Sequence, residues 1–331
     1  MSEEPLLSVK KLSLGIRRTN APATAIVEDL DFEIASGERF GIVGESGSGK
    51  SLTLRAIANL LPRGIEVLSG SIEYRGQDLL RMPADARRRL AGPEIAMIFQ
   101  EPMTALNPVM RVGEQIAESP RRHLGLSKAE AKALAIDMMR KTGIPDPVRR
   151  AEAYPHELSG GLRQRIMIAM ALSCSPKLLL CDEPTTALDV TVQHQVLRLL
   201  EQLCDDTGTA LVFVTHDLGV VNQTCRELAV MYAGGIVERG KVKDVFAGPR
   251  HPYTKGLLDS APDFDQPERE LIAIPGFPPN VSNRPRGCAF APRCTFAVEH
   301  CLEEAPALEP ALPGREAACF ESDRIFEGTA A

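Results

Sequence analysis

ERFGIVGESGSGKSLTLRAIANLL, residues 38 to 61, decides the fold. Arg39 to Val43 read as a buried strand, and after Gly49 the apolar residues fall at Leu52, Leu54, Ile57, Ala58 and Leu61, close to helical spacing. Between them lies Gly44-Glu45-Ser46-Gly47-Ser48-Gly49-Lys50-Ser51, with Leu52 next on the helix. Glycines let the backbone wrap so that several N–H groups and a helix N-terminus face one anion. Lys50 adds a point charge, and the Ser51 hydroxyl can hold Mg²⁺. Strand, glycine loop and helix in that order imply a site for a nucleoside triphosphate such as ATP.

A phosphate cradle alone hydrolyses nothing, because the reaction also needs a metal carboxylate and a group that positions water. LLLCDEPTTALD, residues 178 to 189, supplies both kinds of group. Leu178 to Leu180 continue as an apolar strand into Asp182 and Glu183, which places two carboxylates at a strand end. Asp182 is expected to bind Mg²⁺ through its water shell and Glu183 to accept the proton of the attacking water. VFVTHD offers a further apolar strand, Leu211 to Thr215, that closes in His216, a donor able to reach a γ-phosphate.

At 331 residues the chain has room for a main domain and a small appendage. A net charge of -6 argues against a protein that coats nucleic acid. The N-terminus, MSEEPLLSVKKLS, has no apolar leader, and no stretch reaches the roughly eighteen uninterrupted apolar residues of a membrane span. Residues 6 to 42 read as short alternating strands. From 39 to about 246, strands alternating with helices read as an α/β fold with a parallel sheet covered on both faces. Between Gln100 and about Pro176 the pattern turns helical, with KAEAKALAIDMMRKTG (128 to 143) the clearest amphipathic helix and Gly143 its stop.

YPHELSGGLRQR, residues 154 to 165, completes a set of motifs that resembles the ATP-binding subunits of ABC transporters. Leu158 to Leu162 resemble the family's signature, with Ser159, Gly160 and Gly161 opening a helix that runs to about Ser173. The resemblance implies a P-loop ATPase with a RecA-like parallel core, an N-terminal antiparallel β region and an inserted helical subdomain at about 101 to 176. It also implies a head-to-tail dimer in which one chain's signature faces the nucleotide on the other's phosphate loop. Gln100 matches the family's Q-loop glutamine, which contacts Mg²⁺ and water; Asp189 matches the D-loop aspartate and His216 the switch histidine. Glu101 to Pro108 (EPMTALNP) match the region where a membrane subunit's coupling helix docks. Two departures stand out: Leu162 replaces a common glutamine, and the segment upstream of the loop lacks the aromatic ring that usually stacks on adenine, leaving Ile26, Arg17 or Arg18 to cover it.

Beyond the core, GPRHPYTKGLLDSAPDFDQPERE and AIPGFPPNVSNRPRG are dense in Pro, Gly and Asn and read as irregular structure. Cys288, Cys294, Cys301 and Cys319 follow, spaced C-x5-C-x6-C-x17-C without the paired knuckles typical of structural zinc. A looser zinc site, a 4Fe-4S cluster with one thiolate per iron, or thiols packed as small hydrophobes all stay open on spacing alone. HPYTKGLL, IPGFPPN and RPRGCAFAPRC, with FQEPMTALNP and DEPTTALDVTVQ, resemble the peptide-importer branch of the family, the ATP-binding subunits of bacterial dipeptide and oligopeptide importers.

The branch resemblance implies an ATPase domain at 1 to 250 and a small C-terminal domain at 251 to 331 whose four cysteines hold a 4Fe-4S cluster, structural or redox-sensing. It implies a heterodimer with a second, related ATP-binding subunit on two permease chains, an extracytoplasmic binding protein reached through the permease, no nucleic acid, and a peripheral place on the cytoplasmic face of the inner membrane. The alternative is a soluble ABC ATPase of iron–sulfur assembly or of nucleic-acid or ribosome remodelling. One ATPase unit, no long heptad run and the Pro-rich tail speak against it. The cargo is chosen by chains other than this one.

Overall fold

The computed structural model describes residues 4–18, 21–101, 105–185, 189–261, 272–280 and 284–326. Part of the expected docking loop, residues 102–104, lies outside them, as does residues 262–271 of the Pro-rich tail. The strands are β1 (Leu7–Arg18), β2 (Ala21–Ile34), β3 (Arg39–Val43), β4 (Glu66–Tyr74), β5 (Gln77–Asp78), β6 (Ile95–Ile98), β7 (Leu178–Asp182), β8 (Ala210–Thr215), β9 (Glu227–Tyr232), β10 (Gly235–Lys241), β11 (Glu309–Leu312) and β12 (Arg315–Ala317). The chain forms two compact units: Met1–Leu6, Ile34–Glu38 and Gln77–Val212 in one, and Leu7–Glu33, Arg39–Gly76 and Phe213–Ala331 in the other.

In the first unit β6 and β7 pair in parallel, Ile95 opposite Leu178 and Ile98 opposite Cys181. All five residues of β7 are buried, so a continuous apolar run rather than an alternating one marks it. Helices Val112–His123, Lys128–Lys141 and Gly160–Leu172 pack on one another. Ile116, Ala131, Ala135, Met139, Ile166 and Ile168 on these helices are fully buried. The Lys128–Lys141 helix starts at a reciprocal cap, with the Ser127 side chain accepting from the Glu130 N–H and the Glu130 carboxylate accepting from the Ser127 N–H. It stops before Gly143, where φ is +69°.

In the second unit β1 and β4 pair antiparallel, with Leu7 opposite Tyr74 and Val9 opposite Ile72. The N-terminal strands are long, 12 residues for β1 and 14 for β2, where the sequence reads short ones. The register shift between Lys10 and Ser13, with Lys11 at φ 47°, absorbs an irregularity and lets the pairing resume beyond it. β3 pairs in parallel with β9, Ile42 opposite Ala229, and the sheet continues β9, β10, β12, β11.

The tail is therefore less irregular than its composition implies. Pro252–Ser260 is a helix, because Pro252 sits in the first turn where no N–H is needed and His251 Nδ1 accepts the Tyr253 N–H. β11 and β12 form a hairpin whose turn uses Gly314 at φ +73°, and β12 extends the sheet at Glu238 and Arg239 of β10. Glu238, 0% exposed, holds this junction by accepting from the Arg250 and His251 N–H groups and from Arg315.

Candidate active site

The phosphate loop follows β3 and runs into the helix Lys50–Ile57, in the second unit. Its glycines are there for backbone reasons. At Gly44, φ +153°, a Cβ would strike the Met231 carbonyl oxygen, and Gly49, φ +102°, caps the helix in a left-handed conformation. Lys50 is 4% exposed and its Nζ donates to the Gly44 and Glu45 carbonyls at 2.6 and 2.9 Å. Gly234 N–H donates to the Ser48 carbonyl at 3.1 Å, tying the β9–β10 turn to the loop. Ser46 and Gly47 are exposed, Gly47 with nothing within 4 Å of a built Cβ, so the crest of the loop is open. An open crest of backbone N–H groups beside a buried lysine fits a triphosphate. Ser51 and Leu52 lie in the first helical turn, half-buried. His216 closes β8 in the same unit, exposed, and Asp217 beside it caps the next helix.

The first unit holds the carboxylates. Asp182 is 1% exposed at the end of β7. Glu183 follows at φ 45°, a left-handed conformation that non-glycine residues rarely adopt, and its Oε2 accepts from Gln100 Nε2 at 3.3 Å. Gln100 and Glu183, 83 positions apart, are thus direct partners. Ser159 caps the Gly160–Leu172 helix by accepting from the Leu162 N–H at 3.4 Å, and Ser159 and Gly160 are exposed at its tip, with Gly161 half-buried behind them. Asp189 caps the helix Val190–Thr207 through the Val192 N–H at 3.0 Å. Its role in sequence terms and its structural role as a cap fall on one side chain.

The tail contributes contacts to the phosphate loop that sequence reasoning did not assign. Tyr253 Oη accepts from the Glu45 N–H at 2.8 Å, and Arg293 grips the Glu45 carboxylate with both terminal nitrogens at 2.8 and 3.0 Å. Tyr232, Tyr253 and Phe290 pack ring to ring around this pair. The available signal was the HPY and APRC character of the tail, which the sequence reading used only to place the branch.

Cys288, Cys294, Cys301 and Cys319 line one small, partly open cavity with Phe290, Phe296 and His251. Burial, then the neighbouring thiols, pushes the Cys319 thiol up to about 12, and burial also raises Cys288 and Cys294. Four thiols around one shared space are a donor set that suits a thiolate-held group. Among the described residues, however, no three His, Cys, Asp or Glu side chains gather tightly enough to hold a single metal ion. The 4Fe-4S reading therefore rests on the shared cavity alone.

The family described as "ABC transporter" matches residues 27–186, and that described as "Oligopeptide/dipeptide transporter, C-terminal region" matches residues 237–301. The dipeptide transport ATP-binding protein DppD of Escherichia coli is 47% identical over 95% of this chain and 96% of its own. The oligopeptide transport ATP-binding protein OppD of Salmonella typhimurium is 49% identical over 96% of this chain and 93% of its own. Among solved structures, a dimeric ATP-binding cassette in a post-hydrolysis state bound to ADP and Pi superposes with a TM-score of 0.64 at 25% identity, covering 71% of this chain and 98% of that one. With identities near one half over nearly the whole length, the chain belongs to the ATP-binding proteins of ABC transporters, in the branch that carries the oligopeptide/dipeptide transporter C-terminal region.

Proposed function

We propose that this chain is the ATP-hydrolysing subunit that powers import of di- or oligopeptides through an inner-membrane ABC transporter. One observation carries the reading: an intact phosphate loop and the peptide-transporter C-terminal region occur in one chain, and the two relatives above are a dipeptide and an oligopeptide transport protein. The C-terminal match sets aside the soluble alternative in iron–sulfur assembly or nucleic-acid remodelling. In this reading residues 1 to 250 form the ATPase domain, with the helical subdomain at about 101 to 176, and residues 251 to 331 the peptide-importer domain.

The roles of the side chains are those that the family resemblance implies. With ATP and Mg²⁺ bound, Gly44 to Leu52 would hold the phosphates, Ser51, Asp182 and Gln100 would hold Mg²⁺, and Glu183 would take the proton of the attacking water, which Gln100 would also contact. Ser159, Gly160 and Gly161 would face the nucleotide on the opposite subunit, Asp189 would serve as the D-loop aspartate, and His216 would reach the γ-phosphate as the switch histidine. Binding closes the dimer, because the γ-phosphate finds all its donors only in the closed state, and hydrolysis resets it. The partner is a second, related ATP-binding subunit. The pair works on two permease chains at the cytoplasmic face, fed by an extracytoplasmic binding protein. No helix among the described residues is long and apolar enough to cross a membrane.

Glu183→Gln tests the assignment. It should retain ATP binding, lose hydrolysis and accumulate a closed dimer; normal turnover would refute it. Peptide uptake by cells carrying only this variant should stop as well. The proposal extends to a 4Fe-4S cluster on Cys288, Cys294, Cys301 and Cys319, supported by their common cavity, where it would cross-link the tail. Protein purified without oxygen should be brown, with iron and acid-labile sulfide near about four each per chain. Colourless protein, with or without one zinc, would end that part of the reading.

A further inference from the structure

The strongest unassigned feature is the bond network that joins the C-terminal tail to the phosphate loop. Arg293 is 6% exposed at its side chain, and every nitrogen of its guanidinium is engaged: Nε with the Pro275 carbonyl at 2.8 Å, and the two terminal nitrogens with the Glu45 carboxylate, one of them also with Tyr232 Oη at 3.3 Å. The guanidinium lies 5.8 Å from the Tyr232 ring centroid and 5.9 Å from that of Phe290. Its own position is thus fixed by packing on both sides. Tyr253, 0% exposed, holds the backbone N–H of Glu45 from the other direction. Glu45 is the first residue after Gly44 in the loop, so its backbone and its side chain are both pinned by residues about 208 and 248 positions away.

A glycine-rich loop has many conformations of similar energy, and only one presents its N–H groups to a single anion. Ordering such a loop at the moment of binding costs affinity, and a loop ordered beforehand avoids that cost. The network does this at the one non-glycine position between Gly44 and the exposed crest that carries a charge able to be gripped. The bidentate Arg–carboxylate geometry fixes direction as well as distance. The carboxylate would also repel a triphosphate if left unpaired, and Arg293 neutralises it.

We infer that Arg293 and Tyr253 are positioning residues for nucleotide binding, acting through Glu45 to hold the phosphate loop in its binding shape, so that the C-terminal domain is a working part of the ATP site. The inference rests on the reading of Gly44 to Ser51 as that site.

The test measures affinity of the full-length chain for a fluorescent ATP analogue with Mg²⁺, alongside the thermal unfolding midpoint. Arg293→Gln should weaken binding roughly tenfold, the effect of losing about one charge-assisted hydrogen bond's worth of loop order. Arg293→Lys, which keeps the charge and loses the fork, should recover part of that loss, and Tyr253→Phe should weaken binding roughly threefold with its ring packing intact. Glu45→Gln should weaken binding less than Arg293→Gln, and the double variant should match Glu45→Gln, because both residues act through one contact and the double variant leaves no unpaired carboxylate facing the triphosphate. Equal affinity in Arg293→Gln and wild type overturns the inference. So does a loss that multiplies fully in the double variant, or one that tracks a falling midpoint with no recovery in Arg293→Lys. Lys50→Ala separates the two claims: if it leaves binding unchanged the site reading itself fails, whereas if it abolishes binding and the Arg293 variants do not alter it, only the positioning role fails.

Discussion

Replacing Glu183 by alanine and, separately, by glycine should give two inactive proteins of different stability, with the glycine variant the more stable. The prediction comes from one backbone angle, φ 45° at Glu183, directly after the fully buried strand β7. A left-handed conformation costs an L-residue about 1–2 kcal/mol that glycine escapes. Glycine in turn gives the unfolded chain more freedom, which costs the folded state about 0.4–1 kcal/mol relative to alanine. Both variants lose the same side-chain partners, including the 3.3 Å bond from Gln100, so these contributions cancel between them. The remainder favours glycine by about 0.8 kcal/mol at the middle of these ranges, or about 2–3 °C in the unfolding midpoint. Thermal unfolding followed by circular dichroism, with ATPase activity measured on the same samples, reads both quantities. An alanine variant at least as stable as the glycine variant would refute the reasoning, since it would mean the backbone at 183 is not held left-handed. The expected outcome would mark Glu183 as a position where the fold tolerates strain to aim a carboxylate.

Two further perturbations probe the junction of core and tail. Arg315→Met should destabilise the protein by about 3–5 kcal/mol in urea unfolding, because it leaves the fully buried Glu238 carboxylate without its counter-charge; adding Glu238→Gln should restore most of this, and a loss under about 1 kcal/mol in the single variant would count against the buried pair. Burial lowers the pKa of His251 to about 3, so between its unfolded value near 6.5 and that folded value the unfolded chain binds the extra proton. Stability contributed by this residue is thus full above about pH 6.5 and lost as pH falls toward 3, at up to about 1.4 kcal/mol per pH unit, and His251→Gln should flatten that slope in a pH series of unfolding curves.

How much could be read in advance depended on how local the determining physics was. β3, β7 and β8 are legible because strands buried on both faces are written as uninterrupted apolar runs, and each ends in a chemically distinctive residue: Gly44, Asp182 or His216. The Lys128–Lys141 helix is legible from periodicity and from its stop at Gly143. The hairpin of β11 and β12 is not, since its first strand is mostly exposed and its order comes from pairing with β10 and from the Arg315–Glu238 bond. Composition rich in proline pointed to irregular chain at Pro252, whereas proline in a first turn starts a helix. The hydrogen bond between Gln100 and Glu183 is not legible in the sequence, because nothing in the positions between them encodes a distance.

The same reasoning accounts for why the acid at position 45 is readable as a motif letter but not as a functional residue. In the pattern from Gly44 to Ser51 the intervening positions are free by the logic of the phosphate cradle, which uses backbone N–H groups and asks nothing of those side chains. An acid there would even be unfavourable alone, since it adds negative charge where a triphosphate must bind. What makes it useful is a cation that the tail brings, held by the Tyr232 and Phe290 rings and the Pro275 carbonyl. Charge neutralisation and loop order then come from one contact. Removing Arg293 should therefore do more harm to nucleotide binding than removing Glu45, because the first leaves the acid facing the anion and the second removes that repulsion together with the anchor.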